Sequence, residues 1–109
     1  MKNENQIRQF HSDEFGQIRV IEIDREPWFV GADIAGALGY EKPRNALLKH
    51  VDGDDALKRG VIDSMGRTQQ TTLINESGLY SLILSSKLPS AKRFKRWVTS
   101  EVLPTILGT

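Results

Sequence analysis

Between Lys87 and Arg96 stand five cations, Lys87, Lys92, Arg93, Lys95 and Arg96, with no acidic residue among them. Ammonium and guanidinium groups at this density neutralise several phosphates at once, and each such contact steepens the loss of affinity with salt. A second set lies upstream. Arg44, Asn45, Lys49 and His50 fall close together, and side chains of these types reach phosphate oxygens or base edges. Both sets suit nucleic-acid binding, and each also has a plainer reading. The first is then a solvated cationic face, and the second a pair of short helices of a kind found in many domains with no nucleic-acid role. Other chemistry finds less support. Phe10-His11-Ser12-Asp13 sets His, Ser and Asp side by side, yet a triad is defined in space, and adjacency in the chain supplies no such geometry. His11 and His50, without any cysteine, are too few for a transition-metal site. Asp52, Asp54 and Asp55 lack the distant Glu of a calcium loop. The nine glycines are scattered and form no phosphate-binding loop. The expectation is a protein that is no enzyme and takes no cofactor and no metal.

Each cationic set needs an element to hold it. At 100° per residue, Leu88, Ala91, Phe94, Val98 and Val102 fall in one apolar arc. This predicts a helix that Pro89 opens and that runs to about Leu103, where Pro104 ends or kinks it. Lys92, Lys95 and Arg96 lie on one flank of that helix, with Arg93 further round. Trp97 lies off the arc, and its size favours burial against a neighbouring element over stacking on a base.

The Arg44 set belongs to the second of two short predicted helices. Ile34, Ala35 and Leu38 share a face, and Gly39 suits a left-handed stop. Pro43 suits the first position of the next helix, which turns Ala46, Leu47 and Val51 inward. With Ala35 as the small crossing residue and Gly39 four later, Ile34, Leu38, Tyr40 and Leu48 fall at the apolar offsets of a helix-turn-helix. Asn45 occupies one further position where an apolar residue is expected, with Ala46 beside it, which points to a turn one residue longer.

The remaining segments supply the scaffold. Residues 18–23 are β-branched and partly alternating, residues 24–27 form a polar connection, and residues 28–30 return. Residues 7–10 add a short edge strand. A second hairpin pairs residues 57–62 with residues 68–74. It is half solvated, because Thr68, Gln70 and Thr72 share a face with Ile74. Asn75 caps a helix at residues 76–85 whose Leu79, Tyr80, Leu82, Ile83 and Leu84 form the buried centre of the domain. The fold class is α+β: two β-hairpins interleaved with a helix-turn-helix-like pair and two C-terminal helices.

The chain has 109 residues, the size of one domain. Its 39% hydrophobic and 27% charged residues fit a folded protein and argue against disorder. The absence of cysteine excludes disulfides, thiolate metal sites and cysteine nucleophiles. No apolar run approaches the roughly 20 residues that span a bilayer, and the start of the chain is polar. A cytoplasmic location without membrane contact is expected. Charge is unevenly spread. Residues 1–55 hold 7 Lys/Arg against 11 Asp/Glu, and residues 56–109 hold 8 against 3. Such a lopsided field steers one face toward an anionic partner.

Pro27-Trp28-Phe29-Val30-Gly31-Ala32-Asp33-Ile34-Ala35, followed by Leu38-Gly39-Tyr40, resembles the start of the N-terminal domain of the BRO family, found in phage and prophage antirepressors and in viral BRO proteins. The likeness continues through residues 46–51 and through Leu73-Ile74-Asn75-Glu76-Ser77-Gly78-Leu79-Tyr80-Ser81-Leu82-Ile83. Its most specific part runs from Ser86 to Ile106, and the whole covers residues 18–106. The resemblance implies one Bro-N-like domain over residues 1–109, the N-terminal part of a longer protein acting in a bacterial host cell. It also implies a DNA-binding regulatory role. On the charge and helix arguments, Lys87, Lys92, Arg93, Lys95 and Arg96 would grip phosphates while Arg44, Asn45 and Lys49 face a groove. The alternative is a protein-interaction module that binds and inactivates a phage repressor, anchored by an exposed Trp28 or Trp97. The chain could also act as a homo-oligomer. Two departures stand out. Arg25 occupies a turn position where Gly is common, so the hairpin turn is expected to differ. The chain ends at Ile106-Leu107-Gly108-Thr109, where family members tend to continue through basic residues, which implies either truncation or an altered terminus and leaves phosphate contacts there unsupported.

Overall fold

A computed structural model describes residues 7–63 and 65–108. The polar start at residues 1–6 lies outside them. Five strands, β1 (Ile7–Ser12), β2 (Gly16–Ile23), β3 (Glu26–Val30), β4 (Ala56–Ile62) and β5 (Thr68–Ile74), form one antiparallel sheet in the order β1-β2-β3-β5-β4. Between β3 and β4 come helices α1 (Gly31–Ala37) and α2 (Pro43–His50) and a short 3₁₀ turn at Gly53–Asp55. After β5 come α3 (Glu76–Ser85), α4 (Ala91–Trp97), a π-helical stretch at Val98–Val102 and α5 (Leu103–Leu107). The α+β expectation holds. None of the described helices is long and apolar enough to cross a membrane.

Strand alternation splits the apolar residues between two faces of the sheet. Ile18 and Val20 of β2, Phe29 of β3 and Ile74 of β5 meet Ile34, Leu38, Leu79, Leu82, Phe94 and Val98 from the helices. This is the main core. On the other face Ile21, Ile23, Val30, Val61 and Leu73 form a smaller cluster, with Trp28 packed at its margin. The acidic stretch after α2 has a structural task. Asp55 accepts the backbone N–H of Asn75 through its carbonyl and the Asn75 side-chain amide through its carboxylate. Asn75 in turn accepts the Gly78 N–H and caps α3.

The β2–β3 turn is closed by Asp24 and Arg25, and both have left-handed backbones, with φ of 52° and 67°. The turn therefore keeps the primed geometry that matches strand twist, and Arg25 carries the strain that Gly would avoid. Arg25→Gly is expected to stabilise the domain by about 0.5–1 kcal/mol, seen as a higher midpoint in urea with an unchanged slope. A lower midpoint would mean that the arginine side chain makes a contact worth more than the strain.

Three expectations need correction. The last helix begins at Ala91, after a turn at Pro89 and Ser90, and Pro104 does not end it. Pro104 has no N–H for an ordinary helical bond, and the ladder widens just before it: Leu103 N–H bonds the Val98 carbonyl five residues back. The core face then continues through Val102, Leu103 and Ile106. Second, Leu84 is 83% exposed. It sits on the far side of α3 from Leu79, Leu82 and Ile83, so the helix is not apolar all round. Third, although Ala46 is buried on α2 as expected, Leu48 is 79% exposed. At that position the helix pair departs from a helix-turn-helix.

Candidate nucleic-acid interface

The α1–α2 connection is held from three directions. Gly39 adopts φ of 81° and lies against Leu88, so close that a Cβ there would fall 2.3 Å from a Leu88 methyl. The Tyr40 hydroxyl donates to the Leu82 carbonyl at 2.8 Å, and burial pushes its pKa up. Ser86 Oγ donates to the Leu38 carbonyl at 3.0 Å. These contacts fasten α2 and the segment after α3 to the same part of the core. Between them opens a cleft of about 470 Å³, whose walls include Lys42, Asn45, Lys49, His50, Lys87 and Leu88.

Three of the anticipated residues, Asn45, Lys49 and Lys87, thus share one cleft although the chain separates Lys87 from the others by a whole hairpin and α3. Lys42 joins them. It stands just before Pro43, the first residue of α2, and that place in the sequence is the signal that could have found it. Lys92, Lys95 and Arg96 are exposed on α4, and none of them has an ion-pair partner among the described residues. Arg93 is different. Its guanidinium donates to both carboxylate oxygens of Glu14, the closest contact being 2.6 Å. The hydrogen bond to Arg93 holds the Glu14 carboxyl below its usual pKa, and the pair raises that of Arg93. A phosphate must therefore compete with Glu14 for Arg93.

Next to this pair, Trp97 stacks on Phe15 at 6.1 Å and leans on Phe94 at 6.0 Å. Trp97 is half-buried against the core, as its size suggested. Trp28 is likewise half-buried. Of the His-Ser-Asp run, His11 and Ser12 end β1 and Asp13 enters the turn, where Ser12 Oγ accepts the backbone N–H groups of Glu14 and Phe15. Among the described residues no group of three His, Asp or Glu side chains is placed to hold a metal. Arg44 faces away from the lysine cleft and lines a second groove beside β5.

The profile of the BRO family, N-terminal domain, matches residues 17–104. The chain belongs to the BRO family. Its Bro-N domain is 37% identical over 109 residues to an uncharacterised protein of Haemophilus influenzae, a match covering all of this chain and 54% of that protein. It is 37% identical over 107 residues to a putative Bro-N domain-containing protein, 289L, of invertebrate iridescent virus 6, covering 83% of this chain and 26% of the viral protein. An uncharacterised Bro-N domain-containing protein, ORF2, of Autographa californica nuclear polyhedrosis virus is 32% identical, over 92% of this chain and 35% of its own length. The chain therefore spans about half or less of these relatives. No solved structure matches this chain.

Proposed function

We propose that this Bro-N domain is a DNA-binding regulatory module of a prophage antirepressor-like protein, and that it forms the N-terminal part of a longer chain. The observation that carries the reading is the outer face of α4, where Lys92, Lys95 and Arg96 stand exposed and unpaired by acids among the described residues. Cations so placed neutralise phosphates without first losing a partner. The cleft beside α2 gathers three further cations, Lys42, Lys49 and Lys87, against the single acid Glu41 in its lining. Family membership supports the reading.

The test is fluorescence anisotropy with labelled random-sequence duplex and single-stranded DNA at two salt concentrations. K92E/K95E/R96E is expected to weaken binding at least tenfold and to flatten the salt dependence by about one unit of slope per lost phosphate contact. Binding indifferent to both salt and the triple change would refute the proposal, as would no binding to either DNA near 100 µM, about the weak limit for non-specific contacts.

A second reading is favoured by Leu48 on α2 and Leu84 on α3, which expose 79% and 83% of their surfaces. They would be the apolar anchors of a contact with a protein such as a phage repressor. This reading differs from the original expectation in its anchors, because both tryptophans already pack within the domain. L48D/L84D retaining DNA binding while losing a repressor would favour it.

A further inference from the structure

β3 reaches β5 only at Phe29 opposite Ile74 and Val30 opposite Leu73. From Lys58 opposite Thr72 to Ile62 opposite Thr68, β4 and β5 pair with each other alone. These five pairs make a two-stranded ribbon about 16 Å long at about 3.3 Å per residue. One face of the ribbon carries Lys58, Gly60 and Ile62 beside Thr68, Gln70 and Thr72, and all but the half-buried Thr72 are exposed. An edge strand needs a lysine such as Lys58 to discourage pairing with another chain. That need does not account for the run Thr68-Gln69-Gln70-Thr71-Thr72 on the inner strand, which puts amides and hydroxyls on both faces.

The charges complete the picture. The hairpin holds Lys58, Arg59 and Arg67 against Asp63 alone. Asp63 is occupied within the turn, accepting the N–H groups of Met65 and Arg67 and the Gln69 amide, with Arg67 Nε 3.3 Å away. Across a groove of about 270 Å³ along the free edge of β5 stands the first turn of α2, and the lining includes Arg44, Asp63, Gln69, Gln70, Thr71 and Thr72. Among the described residues, the side chains of Lys58, Gln70 and Arg44 have no hydrogen-bond partner in the protein.

We propose that the β4–β5 ribbon and the first turn of α2 together read base edges in the major groove of duplex DNA, with Gln70 and Arg44 as the reading side chains and Lys58 on a flanking phosphate. The inference rests on the DNA-binding reading above and adds the element that confers specificity. A two-stranded ribbon fits the major groove, about 12 Å wide, and Gln and Arg make bidentate pairs with adenine and guanine there. The cations of α4 bind backbone and carry no sequence information.

The experiment selects bound sequences from a random 30-bp duplex library with the wild type, Q70A, R44A, K58A and K92E/K95E/R96E, each checked for an unchanged melting temperature. Affinities are then measured on the wild-type consensus and on a scrambled duplex. Q70A and R44A are expected to lose about tenfold or more on the consensus, little on the scrambled duplex, and to relax the selected motif at different positions. K58A is expected to weaken both duplexes alike. If the wild type binds and the α4 variant fails while Q70A and R44A keep both the motif and the affinity, the ribbon proposal is overturned and the DNA-binding reading stands. If the wild type binds DNA but selects no motif, the ribbon proposal also falls. If the wild type binds no DNA, both fall together.

Discussion

Phe94→Ala is expected to destabilise the domain by about 3–5 kcal/mol, the range for removing a buried aromatic ring from a packed core. Phe94 is fully buried where α4 packs on α3 and on Phe15 of the β1–β2 turn. Its ring meets Phe15 edge-on at 5.1 Å and 78°, and Trp97 lies 6.0 Å away. Removing the ring opens a cavity beneath the helix that carries Lys92, Lys95 and Arg96, and also ends an aromatic contact worth about 0.5–1.5 kcal/mol beyond its area. Phe94→Leu keeps most of the apolar volume and is expected to cost about 1–2 kcal/mol. Urea unfolding followed by Trp fluorescence measures both, because Trp97 lies beside the cavity. Domains are stable by only about 5–15 kcal/mol, so the Ala variant loses a large share. A loss below about 1 kcal/mol for Phe94→Ala would mean that α4 does not pack into the main core as described.

What the sequence revealed depended on how local each cause was. β5 and α3 were read at their observed bounds, Thr68–Ile74 and Glu76–Ser85, because strand alternation and the Asn75 cap act over a few residues. Leu84 was assigned to the core on composition, whereas the helical period turns it away from Leu79 and Leu82. Pro104 carried a strong local signal to stop. The unbroken core face formed by Val98, Val102 and Ile106 outweighed it once the ladder widened ahead of the ring. Neither the widening nor the register that permits it is written in residue types. The functional surface divides in the same way. The cations of α4 were legible from their spacing, but the capture of Arg93 by Glu14 joins residues 79 apart in sequence. Asn45 and Lys49 belong to one predicted helix and Lys87 to another segment, and the contacts of Leu88 with Gly39, Tyr40 with Leu82 and Ser86 with Leu38 bring them to one cleft. The groove that sets Arg44 beside Gln70 arises from sheet order, because β5 lies next to β3, from which the chain runs into α1 and α2.

Asp33→Ala is expected to cost about 2–3 kcal/mol, and Arg19→Ala no more than about 1 kcal/mol, although the two side chains form one ion pair. The asymmetry follows from where β3 ends. Its last pair with β2 at this end is Val20 opposite Phe29, and the chain then turns from the sheet into α1. The Arg19 N–H instead donates to Asp33 Oδ2 at 3.0 Å. The Arg19 side chain donates from Nε to Oδ2 and from a terminal nitrogen to Oδ1, each at 2.9 Å. Truncating Asp33 thus removes three acceptor contacts and leaves a backbone donor at the core boundary without its partner. Truncating Arg19 removes the guanidinium alone and leaves the carboxylate bonded to the same N–H. The guanidinium is about one-third exposed, so water and salt screen its attraction to Asp33, and a double-mutant cycle is expected to give a coupling of only about 0.5–1 kcal/mol. High salt should shrink that coupling and spare most of the Asp33→Ala loss, because the backbone bond persists when the ion pair is screened. Asp33→Asn, which keeps one carbonyl acceptor, should fall between the two truncations. Equal losses for Asp33→Ala and Arg19→Ala would assign the whole effect to the ion pair and refute the role of Asp33 as the partner that β3 no longer supplies.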